Sequence, residues 1–328
     1  EGAVQLQTVA TLQANVLDPL PLFESLDIRM SQVSNTSAEQ LGASKANEYQ
    51  FDSYQAEVLL AQRRAGPLSG LLGLSQRTRD ISGSGALRYL PDVQSVTNAV
   101  FLKQSLDFDG ASVDAGFRHE RVDHDIRSSA FKTSRNSANS KLEDRSFTLN
   151  SYSLGALVEL GSRLSAKARY SSSQRAPEVN ELYASNAHYS VMTQEEGNQN
   201  LESERARNAE FALLFNNRGF DMSVTGYVMK YENFLYQGHS GLQTANRLPL
   251  KYWKQTDTTV KGFEIDVSQV VELGRYGTLN LSAFSDLVKN RADHPDSLRA
   301  HNDGQYLPNM PTNRYGANIA WQKGDWKA

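Results

Sequence analysis

The stretch RAPEVNELYASNAHYSVMTQEEGN, residues 175–198, holds one histidine, His188, followed seven and eight positions later by the glutamate pair Glu195 and Glu196. Imidazole nitrogens and carboxylate oxygens are the donors a transition metal takes when no thiolate is available, and this chain has no cysteine. Zinc asks for three or four such donors at about 2.0–2.3 Å. Other histidines also stand beside acids near predicted loops or strand tops: His124 between Asp123 and Asp125, and His294 and His301 among Asp293, Asp296 and Asp303. His239 stands alone. The metal candidates are therefore His188, Glu195, Glu196, His294 and His301. No H-E-x-x-H spacing is present, so the pointer is compositional, and solvated loop side chains are the competing reading.

Hydrolytic chemistry has a weaker basis. A general base must reach a nucleophile, and His119 continues the alternating row Val113, Ala115, Phe117 with Arg121, not a serine, two positions on. That places it on an apolar face as an interfacial polar side chain, and no catalytic residue is expected. The absence of cysteine also excludes disulfides, thiol nucleophiles and zinc fingers. The formal charge of −3 comes from scattered charges with no basic stripe, so no nucleic-acid partner is expected.

The elements that must position these residues show period two. Tyr152, Leu154, Ala156, Val158 and Leu160 alternate with Ser151, Ser153, Gly155 and Glu159; Phe263, Ile265 and Val267 alternate with Glu264, Asp266 and Ser268. Met222 and Val224 oppose Asp221 and Ser223, and Leu279 and Leu281 oppose Asn280 and Ser282. Roughly thirteen such segments of about ten residues or more are too long for a soluble sandwich and suit tilted membrane-spanning strands. The mean hydropathy of −0.53 is compatible with this, because half of each such strand is polar.

Connections alternate in length. Short ones at 108–112, 160–162, 216–220 and 273–277 carry the Gly and Asn of tight hairpins. Long polar ones are expected at 34–48, 80–92, 127–144, 175–204, 234–256 and 289–311, and no helix is expected. The fold class that follows is all-β: an antiparallel transmembrane β-barrel with its short turns at one end and lipid as its outer partner. Leu154, Val158, Val224, Ile265, Leu281 and Ile319 should face that lipid. A passive porin would satisfy this pattern too, and a barrel hydrolase is a further alternative.

The stretch RAPEVNELY, followed by EEGNQNLESERARNAEF, resembles the extracellular loop and next strand of TonB-dependent outer-membrane receptors. The matching positions are Ala176, Pro177, Glu181, Leu182, Tyr183, Gly197, Asn198, Leu201, Glu204, Asn208 and Glu210. VKGFEIDV (260–267) and LPNMPTNRYGANIAW (307–321) are similar to later segments of the family in the same order. LDPLPLFESLDIRM, the stretch from Gly66 to Asp92 and GFRHERVDHD are most similar to its zinc-uptake branch. That branch carries His and acids in the loop corresponding to 34–48, where this chain has SNTSAEQLGASKANEY, and a Glu pair where it has SGSGALRY.

The resemblance implies an active-transport receptor in the bacterial outer membrane, energised through the TonB complex, whose scarce ligand is a metal ion or a metal chelate. It places a histidine just after Glu-Leu-Tyr, which makes His188 foremost among the candidates. Zinc or another metal would be cargo, and no resident cofactor is implied. Residues 1–328 are expected to be the middle and later part of the barrel, with the plug that contacts TonB and the terminal strands outside it, so that the given strands form an open sheet. The eleven motif residues read as structural, marking the rim of a pore.

Overall fold

The computed structural model describes residues 2–41, 44–85, 88–128, 141–292, 307–308 and 310–327. Thirteen long strands form a single meander: β1 (Gly2–Leu20), β2 (Phe23–Leu41), β3 (Ser44–Gln62), β4 (Leu68–Ser84), β5 (Val93–Phe108), β6 (Ala111–Ile126), β7 (Arg145–Glu159) and β8 (Leu164–Arg175), then β11 to β15. Between β8 and β11 the chain makes α1 (Val179–Tyr183) and two short strands, β9 (Ala187–His188) and β10 (Thr193–Glu196). The meander resumes as β11 (Glu204–Asn217), β12 (Phe220–Gln243), β13 (Pro249–Glu272), β14 (Thr278–Ala292), β15 (Arg314–Lys323) and the short β16 (Trp326–Lys327). Each long strand pairs antiparallel with the next, and β8 pairs with β11. The described pairings do not return from β16 to β1, so the sheet is open.

Register fixes two faces. Leu154 pairs with Tyr170 and Tyr170 with Ala209, while Val158, Ala166, Leu213, Val224 and Ile265 follow one another across five strands. Leu281 and Ile319 oppose each other on that face. All six residues expected to face lipid therefore share one surface, because side chains two apart on a strand stay on the same side. The other surface carries Arg118, Glu210, Glu264 and Asp266 and lines the lumen. His119 lies exposed on the apolar face, within 2.9 Å of Asn150 Oδ1.

The connections at one end are all short: 20–23, 62–68, 108–111, 159–164, 217–220 and 272–278. At the opposite end two expected loops prove to be strand. Residues 34–41 and 44–48 continue β2 and β3 as a ribbon, and 234–243 and 249–256 continue β12 and β13 across a register shift between Tyr231 and Phe234. Beyond the apolar band such a ribbon needs no hydrophobic face. Cross-strand polar pairs hold it instead, as with Thr36 Oγ1 donating to Gln50 Oε1 at 2.6 Å and Gln50 Nε2 to Ser34 Oγ at 2.8 Å. The expectation of no helix is also corrected by α1, which at five residues is too short to show a helical period in the sequence. His294 and His301 lie outside the described residues.

Candidate functional site

The connection from β8 to β11 folds inward at the end away from the short turns. Pro177 has no N–H to give a ladder and ends the β8 pairing. Its carbonyl instead accepts from His124 Nε2 at 3.1 Å, while Ser95 Oγ lies 2.8 Å from His124 Nδ1. His124 is thus buried on the luminal side between two protein partners, and the alternation of β6 turns Asp123 and Asp125 to the opposite face. Arg79 pairs with Glu178. Burial alone would raise the Glu178 carboxyl; the charge and hydrogen bond of Arg79, with His124 and Arg77 beyond, hold it below the usual range.

Helix α1 survives because its surroundings, not its length, stabilise it. Glu181 accepts the Glu178 backbone N–H at 2.7 Å and pairs with Arg175 at 2.8 Å. Val179, Leu182 and Tyr183 are buried, in one cluster with Tyr49, Phe147 and Leu201. Tyr183 donates its hydroxyl to Glu143 O at 2.8 Å. Gly197 passes so close to the helix end that a Cβ there would lie 2.7 Å from Leu182 C and O and from Ala184 N. Those are backbone atoms with nowhere to go, and Gly197 N donates to Ala184 O at 2.6 Å. Asn198 N donates to Glu181 O at 2.9 Å, and Glu204 accepts from Leu235 N at 2.8 Å. Asn208 and Glu210 lie on the luminal face of β11. The motif residues Ala176 to Leu201 are packing and capping groups.

The second half of the connection differs. Asn186, at φ +96°, turns the chain and donates Nδ2 to Arg88 O at 3.1 Å. β9 then hairpins onto β10, and β10 adds in parallel to β13, Glu195 beside Lys251. His188 ends with Nδ1 3.0 Å from Glu195 Oε1 and Nε2 3.6 Å from Glu39 Oε1. Its ring stacks on Tyr89 at 3.9 Å between centroids and 15° between planes. Glu39 also accepts from Ser190 N at 2.9 Å and Asn47 Nδ2 at 2.6 Å. Burial would raise Glu195; hydrogen bonding and charge from His188, with Gln237 and Thr193, hold it below the usual carboxylate range instead.

Of the sequence candidates, the structure brings His188 and Glu195 together and turns Glu196 away, because neighbouring residues of one strand point to opposite sides. Glu196 Oε1 accepts from Gln194 Nε2 at 2.7 Å. Glu39 and Tyr89 come from the two stretches in which this chain departs from the zinc-uptake branch, 34–48 and SGSGALRY (82–89). Only their long-range contact with His188 identifies them. Among the described residues, no three His, Cys, Asp or Glu side chains are arranged to hold a metal ion. What the cluster offers is one imidazole with a carboxylate facing each nitrogen, at the mouth of the lumen.

A meander of long strands with an apolar convex face, a polar concave face and only short turns at one end is the architecture of an outer-membrane β-barrel wall. The family model for TonB dependent receptor-like β-barrels matches residues 12–328, and the chain belongs to that family of outer-membrane transport receptors. Its fold is similar to that of the copper transporter OprC (TM-score 0.78, 12% identity, 100% of this chain and 52% of that one). It is also similar to the FrpB iron transporter from Neisseria meningitidis (TM-score 0.68, 15% identity, 97% and 48%). In sequence it is 27% identical over 158 residues to the hemoglobin and hemoglobin-haptoglobin-binding protein A of Haemophilus influenzae, covering 45% of this chain and 14% of that protein. The chain thus spans about half the length of the structures it resembles and a smaller share of that relative.

Proposed function

We propose that residues 1–328 are the middle and later part of the barrel of a receptor that takes up a transition-metal ion or a metal chelate. Import would be energised by the TonB complex acting on a plug domain seated in the lumen. The observation that carries this reading is the pairing of His188 with Glu195 and Glu39 at the luminal mouth. A metal ion takes the imidazole in its unprotonated form, so binding should weaken on acidification. Tyr89, stacked on His188, would hold the ring in place. The copper, iron and hemoglobin named in the descriptions of similar proteins support a metal or metal-bearing ligand as cargo. The resemblance to the zinc-uptake branch makes zinc the first ion to test.

The experiment is zinc titration of the full-length receptor beside its His188→Ala and Glu39→Gln variants. Weaker binding in both supports an ion site at this cluster. Zinc binding unchanged by either variant, or absent from all three proteins, would return His188 to an ordinary loop residue and move the cargo to an organic chelate.

A further inference from the structure

On the convex face of β12, β13 and β14 four cations stand together. Lys230 lies in one cross-strand row with Thr259 and Arg291, and in the adjacent row Lys261 pairs directly with Lys289. All four are exposed. No carboxylate pairs with any of them among the described residues. Glu232, on the same face of β12, is taken by Arg207 at 2.6 Å and Arg205 at 3.8 Å, and Asp257 accepts the Asn233 backbone N–H at 2.9 Å. Like charges set directly opposite each other destabilise a sheet. The Lys261–Lys289 pair, with two more cations one row away, is an arrangement that an external anion would balance.

Position tells which anion. Lys289 stands eleven residues (289 − 278) beyond Thr278, where β14 leaves its short turn. At about 3.4 Å per residue and a tilt of about 40°, that is roughly 29 Å above the turn, near the outer edge of an apolar band about 25 Å tall. The row beneath the cations is apolar: Phe211, Gly226, Phe263 and Leu287 follow one another across β11 to β14. Phe263 and Leu287 are 41% and 50% exposed. A comparable height on β4 to β7 is self-compensated: Gln76 donates to Asn98 at 3.1 Å, His119 meets Asn150, and Arg121 pairs with Asp123 at 3.0 Å. The excess positive charge is local to one sector.

We propose that this quartet binds the phosphate groups of a phosphorylated glycolipid of the outer leaflet. Lys230, Lys261, Lys289 and Arg291 take the phosphates, and the acyl chains lie along Phe211, Phe263 and Leu287. Charge-assisted hydrogen bonds from ammonium and guanidinium groups suit phosphate oxygens, and the apolar row supplies what a free anion would not use. The site rests on the membrane assignment and is independent of the cargo.

The test is a titration of the full-length receptor in detergent with bis-phosphorylated lipid A, dephosphorylated lipid A and inorganic phosphate. Wild type should bind the bis-phosphorylated lipid about tenfold or more tightly than the dephosphorylated one, a comparison that needs no variant. The Lys261→Gln/Lys289→Gln double variant should lose a similar factor, while Arg121→Gln, already neutralised by Asp123, should lose none. Equal binding of the two lipids by wild type, or undiminished binding by the double variant, would overturn the site. Competition by inorganic phosphate as effective as that by the lipid would overturn the lipid assignment and leave an unspecific anion patch.

Discussion

The two halves of the connection between β8 and β11 are built on different principles. Residues 176–184 bury Pro177, Val179, Leu182 and Tyr183 and are closed by Gly197 at van der Waals limits. Residues 186–196 instead present His188, Glu195 and, from β2, Glu39, held by hydrogen bonds and one ring stack. The first half carries the recognisable motif as packing and capping groups. The second carries the imidazole–carboxylate cluster and none of the eleven motif residues. The motif here records a packing requirement, and the His188–Glu195–Glu39 cluster is held by the same connection without belonging to it.

The largest effect expected on this contrast is at Leu182, which is fully buried. Leu182→Ala should cost about 2–5 kcal/mol of local stability, read as loss of amide-exchange protection across 176–201 in the full-length receptor; protection equal to wild type would erase the distinction between the halves. A reference outside the connection sets the scale. Ile265→Arg, on the lipid face near mid-strand, should cost about 2–4 kcal/mol in an outer-membrane folding assay, and Asp266→Arg on the luminal face clearly less. Equal tolerance would undo the assignment of faces.

Gly197→Ala should cost about 1–3 kcal/mol, since its Cβ meets backbone rather than a side chain that can move. His188→Ala should cost less, about 1–2 kcal/mol, because Glu39 keeps Ser190 N and Asn47 as donors and Glu195 keeps Thr193. Its loss should open exchange only at 186–196. Acid should act more gently. The Glu178 carboxyl is held below its ordinary value when folded, so its contribution is fully present above the unfolded value of about 4.3 and is lost as pH falls through the lower folded one. Docking of residues 176–184 should be the same at pH 6 and pH 5 and weaken only below about 4.3, and Arg79→Gln should weaken it already at neutral pH. A loosening that tracks pH between 7 and 5 would point to another group.

Much of the barrel was legible because alternation is imposed by lipid on one face and water on the other. Leu154, Val224 and Ile265 could be assigned outward from their neighbours alone. The signal fails where the lipid ends. Around Thr36 and Gln50 both faces meet polar surroundings, so strand and loop look alike in the sequence, and the β2–β3 ribbon was missed for that reason. The site was half legible. His188 and Glu195 lie close in sequence and are brought together by one hairpin, whereas the Ser190 backbone meets Glu39 across 151 positions of chain. No local pattern reports a contact of that range. Glu195 and Glu196 read as a unit in the sequence, and only the strand that carries them sets their two side chains on opposite sides.

The parallel docking of β10 has a consequence for the receptor's outer surface. Among the described residues β14 pairs with β13 as far as Thr258, while β13 begins nine residues earlier at Pro249 (258 − 249) and β12 covers its other side. Along that stretch the second side of β13 is a strand edge which, left uncovered, an extended peptide could pair with. Gln194, Glu195 and Glu196 lie against Leu250, Lys251 and Tyr252 of this stretch. The connection that holds His188 thus doubles as a guard rail. Releasing it would free the cluster and, in the same motion, bare a strip of backbone at the cell surface to which a foreign chain could adhere.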